Sequence, residues 1–170
     1  MTLNAIIQKV LKPIAEDHLQ LNDFGFGDLS NYAASATIKY PIMWAAVKSL
    51  RHTGKVFIYN LSIVLADIVK DDLSNIVEIQ SDMILVAADV AAKIQNIEDD
   101  TIEVIGDFNL TPFTERFTDL CAGMVLDLTL QVDSVLNPCD FPSRGETSDV
   151  ILSTEDDEAL TAEDDIIIKP

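Results

Sequence analysis

The chain has little of what staples, hinges or coats a nucleic acid. It carries two cysteines, Cys121 and Cys139. Two cannot build a disulfide framework, so they read as reduced thiols, one in a strand and one in a loop. The only histidines, His18 and His52, are far from both cysteines in sequence. With no CxxC or HxxxH spacing, no zinc site is expected. Cationic residues are scarce: 11 Lys and Arg stand against 29 Asp and Glu, a net charge of −18. That balance argues against nonspecific binding to a phosphate backbone, which needs clustered Lys and Arg. The single tryptophan, Trp44, has no basic residues beside it. It is expected in a core or an interface rather than on a base-stacking platform. No apolar run approaches the roughly 18 residues of a membrane span. The start "MTLNAIIQKVLKP" is amphipathic and lacks the marks of a signal peptide. A soluble protein made in the cytosol is therefore expected.

Catalytic patterns are missing as well. "GFG" at 25–27 is not a phosphate loop, because neither GK[ST] nor GxGxxG spacing accompanies it. No GxSxG is present. Neither histidine has an obvious nucleophile partner: His18 ends a helix and His52 sits in a hairpin loop. Asp99-Asp100 reads as a chain reversal after a helix, and Glu115-Arg116 as a turn ion pair. "EDDE" at 155–158 and "EDD" at 163–165 lack the interleaved glycine and ligand spacing of a calcium loop. No residue is assigned a catalytic, cofactor-binding or metal-binding role, and no cofactor is implied.

What the chain does have is pattern. Leu3, Ile6, Ile7, Val10, Leu11 and Ile14 follow helical spacing, so 3 to about 20 reads as an amphipathic helix. Thr2 is its N-cap, and Pro13 should kink or divide it. "NDFGFGDLSNYAAS" reads as a loop. "YPIMWAAVKSL" (40–50) and "KVFIYNLSIVLADIV" (55–69) flank "RHTG" as a β-hairpin, with Pro41 at the first strand position. Phe57, Tyr59, Leu61, Ile63 and Leu65 share a face. Residues 71–96 form a long helix whose stripe is Ile76, Ile79, Met83, Val86, Val90, Ile94 and Ile97. Asp71 and Asp72 suit its positive N-terminal end. "IEVIGDFNLTPF" and "TDLCAGMVLDLTLQVD" form a last pair, joined near "TERF". In the final strand Leu126, Leu128 and Leu130 should face Met83, Val86 and Val90. Asp127, Thr129, Gln131 and Asp133 lie opposite, and Asp127→Ala or Thr129→Ala should cost little.

The order α-β-β-α-β-β gives an α+β fold: an antiparallel sheet covered by helices on one face, its other face open and polar. This domain spans 1–142. Residues 143–170 form an acidic C-terminal extension with nine acidic and two basic side chains, a net −7, which leaves −11 for the body. The extension reads either as a disordered tail or as an arm that docks on a neighbouring subunit. It holds two apolar triplets, Val150-Ile151-Leu152 and Ile166-Ile167-Ile168. Each isoleucine returns about 1.5–3 kcal/mol on full burial, while fixing a residue costs about 1–2 kcal/mol. A triplet can thus anchor a few residues of an arm but not all of it. These six residues are the candidate assembly contacts.

The segments "FGFGDLSN", "YPIMW", "FIYNLSIVLADIVKDDLSNIVEIQSDM" and "FTERFTDLCAGMVLDLTLQVDSVLNPCDFP" resemble small neck and tail proteins of tailed bacteriophages, notably crAss-like phages. The likeness runs from about 20 to 142, so the acidic extension lies outside it. The element order is also similar to tail-terminator and tail-completion proteins. The resemblance implies a virion structural protein without enzymatic activity, made in the bacterial host cytoplasm. It further implies a closed ring of six or twelve copies, contacting portal, connector or tail proteins. Duplex DNA would pass through without being held tightly, and no membrane is involved. The competing expectation is a non-enzymatic acidic adaptor that binds a basic protein partner. An enzyme with dispersed catalytic residues is a third.

Overall fold

A computed structural model describes residues 2–28, 38–116 and 119–133, all within one compact unit, Met1–Leu136. The candidate contacts Val150, Ile151, Leu152, Ile166, Ile167 and Ile168, and Cys139, lie outside the described residues. The protein is mixed α/β with a six-stranded sheet. No described helix is long and apolar enough to cross a membrane.

The N-terminal helix is built in three pieces: α1 (Leu3–Ile6), a π-helical turn (Ile7–Leu11) and α2 (Lys12–Asp17). Thr2 caps it, its Oγ1 accepting from the Ala5 N–H at 3.3 Å. Pro13 has no N–H, and its ring crowds the carbonyl four residues back. The chain answers by widening the turn before it, where the Lys12 N–H donates to the Ile7 carbonyl five residues back. The helix ends at His18, which is extended, so it stops short of the expected 20. Ile6, Val10, Leu11 and Ala15 are buried.

Strand β1 (Asp23–Phe26) is a departure from the expected loop. It pairs in parallel with β2 (Ile42–Thr53), Asp23 opposite Ile42 and Phe26 opposite Ala45. The sheet is therefore mixed rather than purely antiparallel, and the element order has three strands on each side of the long helix. The two glycines that suggested a turn serve packing. A Cβ on Gly25 would sit 2.0 Å from Cε3 of Trp44, and the indole Nε1–H donates to the Gly27 carbonyl at 3.0 Å.

Strands β2 and β3 (Val56–Ile68) form the expected hairpin, but a tighter one. Thr53 faces Val56, leaving Gly54 and Lys55 as the turn, with Gly54 at φ +61. His52 is thus a strand residue, its ring packed tilted against Phe57 with centroids 4.8 Å apart. Lys48 is the extra residue of a β-bulge between Val47 and Ser49.

The long helix, α3 (Ile76–Gln95), begins later than expected, after Asn75. Asp72 instead closes the preceding turn, accepting from the Ser74 N–H at 3.1 Å and from its hydroxyl at 2.7 Å. After α3 come β4 (Ile102–Val104), β5 (Asn109–Arg116) and β6 (Leu120–Asp133). The β4 and β5 strands both pair with β6, at its C-terminal and N-terminal halves respectively. Gly106, at φ +78, lies in the segment between them. Glu115 and Arg116 belong to β5, not to a turn. The strand order is β1-β2-β3-β6-β4, with β5 also on β6.

Tyr59, Leu61, Ile63 and Leu65 of β3 join Met124, Leu126, Leu128 and Leu130 of β6 in one buried cluster. Ile79, Met83, Val86, Val90 and Ile94 of α3 complete it with the N-terminal helix. The opposite sheet face is not uniformly polar. Ile42, Trp44, Val64, Ala66 and Cys121 form a second buried cluster there, flanked by Tyr40, Phe113 and Val125.

Two stability measurements check this packing. Leu128→Ala should cost about 2–5 kcal/mol in denaturant unfolding, because its side chain is buried against the helix layer. Gln131→Ala, on the other face, should cost under about 0.5 kcal/mol. Gly25→Ala should cost about 1–3 kcal/mol by displacing Trp44, with a change in tryptophan fluorescence. An unperturbed emission spectrum together with wild-type stability would contradict that contact.

Candidate assembly surfaces

Three surfaces of the described body offer something to a partner. The first is a groove between the N-terminal helix and the C-terminal half of α3, with a volume of about 810 Å³. Its apolar lining comes from Val10, Pro13, Ile14, Leu19, Ala92 and Ile97. Leu19 is fully exposed on its rim. His18 reaches across, its Nε2 3.5 Å from Asp89 Oδ2, while its Nδ1 accepts from the Gln20 N–H at 3.2 Å. That acceptor role places the ring proton on Nε2, facing Asp89. Lys9 and Lys93 also line the groove and make no ion pair among the described residues; Asp17 completes its charges.

The second surface is the outer side of α3. Val77 is 74% exposed and Leu85 64%, with Ile84 also open, as is Leu73 in the turn before the helix. Val77, Ser81, Leu85, Ala88 and Ala92 follow one another at helical spacing, so an apolar to small stripe runs along the solvent side toward the groove. Glu78, Asp82 and Asp89 are exposed on the same helix, with Lys93 as the cation of its last turn.

The third is the polar half of the uncovered sheet face. Asn60 donates to Ser49 Oγ at 2.7 Å and accepts from Thr129 Oγ1 at 2.8 Å, tying β2, β3 and β6 together. Lys48, thrown out by the bulge, reaches across β3 to Asp127 Oδ2 at 2.6 Å. The partner oxygen, Oδ1, is buried without a hydrogen-bond partner among the described residues. This half-exposed pair stabilises by up to about 1 kcal/mol. Asp127 and Thr129 are thus bonded across strands, a role their alternation alone did not reveal.

No group of three His, Cys, Asp or Glu side chains that could hold a metal occurs among the described residues. Asp99 turns the chain into β4. Its Oδ1 accepts from the Thr101 hydroxyl at 2.6 Å and from the Thr101 N–H at 2.9 Å. These bonds hold its carboxyl below the usual carboxylate range, the hydroxyl contributing most. Asp72 is lowered in the same way by Ser74. Burial pushes the Tyr59 phenol up.

No protein-family model matches the chain, and comparison with curated proteins finds no significant similarity. The functional reading therefore rests on the molecule's own surfaces and on the segment likeness described above. The six residues read as assembly contacts fall outside the described residues, so none is placed on these surfaces. The groove was missed because its lining is split between two distant helices. Its signal was faint: Ile14 and Ile97 lie at the ends of their apolar stripes, and Leu19 follows the helix end.

The Asp99 turn gives a pH test. A carboxyl whose folded pKa is lowered adds stability above its unfolded pKa of about 3.9, and that stability is lost as pH falls through the folded value. Thr101→Ala should move the Asp99 pKa upward, toward the ordinary value, in an NMR titration of its side-chain carboxyl. The remaining N–H bond should keep the shift partial.

Proposed function

We propose that the chain is a structural subunit of a tailed-phage virion. It would form a closed ring in the head-to-tail connector or the tail and surround the path of exiting duplex DNA. The observation that carries this reading is the exposed apolar stripe of α3, Val77, Ile84 and Leu85, which ends at an open apolar groove on an otherwise acidic body. A lone monomer gains nothing from large apolar side chains in water, whereas self-association buries them. Where these side chains meet a different patch of the next copy, the contact is head-to-tail, and it closes into a ring when the rotation allows. The segment likeness to neck and tail proteins supports the same assignment.

The charge fits a channel protein. Glu78, Asp82, Asp89, Asp71 and Asp72 are all exposed. Acid facing the lumen repels phosphate and leaves no deep wells along the path of the DNA. In this reading no reaction is catalysed, and neighbours in the particle are portal, connector or tail proteins. In this reading the six-stranded sheet forms the wall of the subunit, and the polar half of its outer face remains for contacts between tiers. The net charge of −18 also suits the second reading, an acidic adaptor for a basic protein. That reading expects a monomer whose partner binding weakens steeply with salt.

Light scattering after size exclusion separates the two. The expected mass is a multiple of the 18.7 kDa subunit, with closed rings in negative stain. Leu85→Asp should convert rings to monomers with an unchanged circular dichroism spectrum, since Leu85 faces solvent in the subunit. Wild-type rings should not shift duplex DNA at physiological salt. A monomer at every concentration would sink the ring assignment, and tight salt-dependent DNA binding would sink the acidic lumen.

A further inference from the structure

We propose that the groove between the N-terminal helix and α3 is the receptor for the C-terminal segment Glu163–Ile168 of a second copy of the chain. The inference rests on the ring reading, and it names the contact by which one subunit would hold the next.

Charge complementarity selects the segment. The body is acidic overall, yet the groove presents Lys9 and Lys93 beside an apolar floor, neither within ion-pair distance of a carboxylate among the described residues, although Lys9 lies close enough to Asp99 to help hold its carboxyl low. Asp89 is engaged by His18, and Asp17 is the other acid of the lining. A ligand for such a site needs an apolar stretch with carboxylates next to it. The sequence offers one: Glu163, Asp164 and Asp165 run directly into Ile166, Ile167 and Ile168. The other triplet, Val150 to Leu152, is preceded by the single acid Asp149 and fits less well. Lys169 follows the isoleucines, so the segment carries both signs in the order acid, apolar, base. The groove likewise carries both signs on its rim.

Size and reach agree. A volume of about 810 Å³ lies within the roughly 300–1,000 Å³ of sites that enclose a ligand of a few residues' bulk. The chain continues from the end of β6 at Asp133 to Pro170. Over that length an extended chain spans on the order of 100 Å, enough to reach an adjacent subunit. In a closed ring the same contact recurs at every interface, so a weak docking event gains from being repeated.

The test uses the full-length chain with p-benzoylphenylalanine in place of Ile167. Light and ¹⁵N-labelled populations are co-refolded, irradiated and mapped by mass spectrometry, and the particle mass is measured by light scattering in the same samples. Cross-links are expected in residues 9–20 or 89–97, joining light chains to heavy ones. Ala92→Glu, a solvent-facing change on the groove wall, should lower their yield at least about tenfold, equivalent to about 1.4 kcal/mol, with the circular dichroism unchanged. Rings whose cross-links fall elsewhere, or whose yield ignores Ala92→Glu, would overturn the docking site and leave the ring reading standing. Cross-links confined to single-isotope pairs would show an arm folding onto its own body, which overturns the exchange between copies. A monomer at all concentrations would overturn both.

Discussion

Everything else in this fold hangs on the antiparallel ladder between β3 and β6. It runs without a break from Val56 opposite Asp133 to Ile68 opposite Cys121. Two long strands in unbroken register present the same two faces along their whole length, because side chains alternate with period two. One face is Tyr59, Leu61, Ile63 and Leu65 beside Met124, Leu126, Leu128 and Leu130, broad enough to seat a twenty-residue helix. A register slip of one residue would turn Asn60, Ser62, Asp127 and Thr129 into that core, so the polar residues fix the register as firmly as the apolar ones. Close approach also needs Gly123, where a Cβ would lie 1.9 Å from the Leu65 carbonyl oxygen.

The ladder explains the shape of its neighbours. The long outer edge of β6 is covered by two short strands, β4 and β5, and the chain leaves the edge and returns through the segment holding Gly106. Pro112 lies in β5, an edge strand, where a missing N–H is tolerated. On the far side of β3, the bulge at Lys48 shifts β2 by one residue and releases a long cationic side chain toward Asp127. An irregularity in one strand thus supplies the counter-charge for an acid two strands away.

Legibility from sequence followed the length of the pattern. The α3 stripe and the alternation of β3 and β6 are long and regular, so both could be read, and Leu126, Leu128 and Leu130 do share a cluster with Met83, Val86 and Val90. Short elements failed. Strand β1 has four residues, two of them aromatic and one a glycine whose function is to admit Trp44. Locally that string is indistinguishable from a turn, because its pairing partner begins sixteen residues further on. The second apolar cluster was hidden for a related reason. Val64, Ala66 and Cys121 occupy positions that alternate correctly for an outward face, and only the three-dimensional placement of Tyr40 and Phe113 covers them. The groove needed the same knowledge, since Pro13 and Ala92 come together only after the π turn and α3 are set side by side.

Charge and apolar exposure act against each other over different distances, and this shapes how such a body can associate. Copies carrying strong net negative charge repel one another over about 8 Å at physiological ionic strength. Apolar contact acts only when surfaces touch. Association therefore requires side chains that project through the repulsive layer and receptors where the local charge is neutral or positive. Val77 and Leu85 project in this sense, and the groove, whose lining includes Lys9 and Lys93, has the local charge that such a receptor needs. The same repulsion disfavours random contacts between acidic faces, which leaves the few apolar sites to set the geometry. An acidic ring protein in this view gains specificity from charge and cohesion from a small number of exposed apolar side chains.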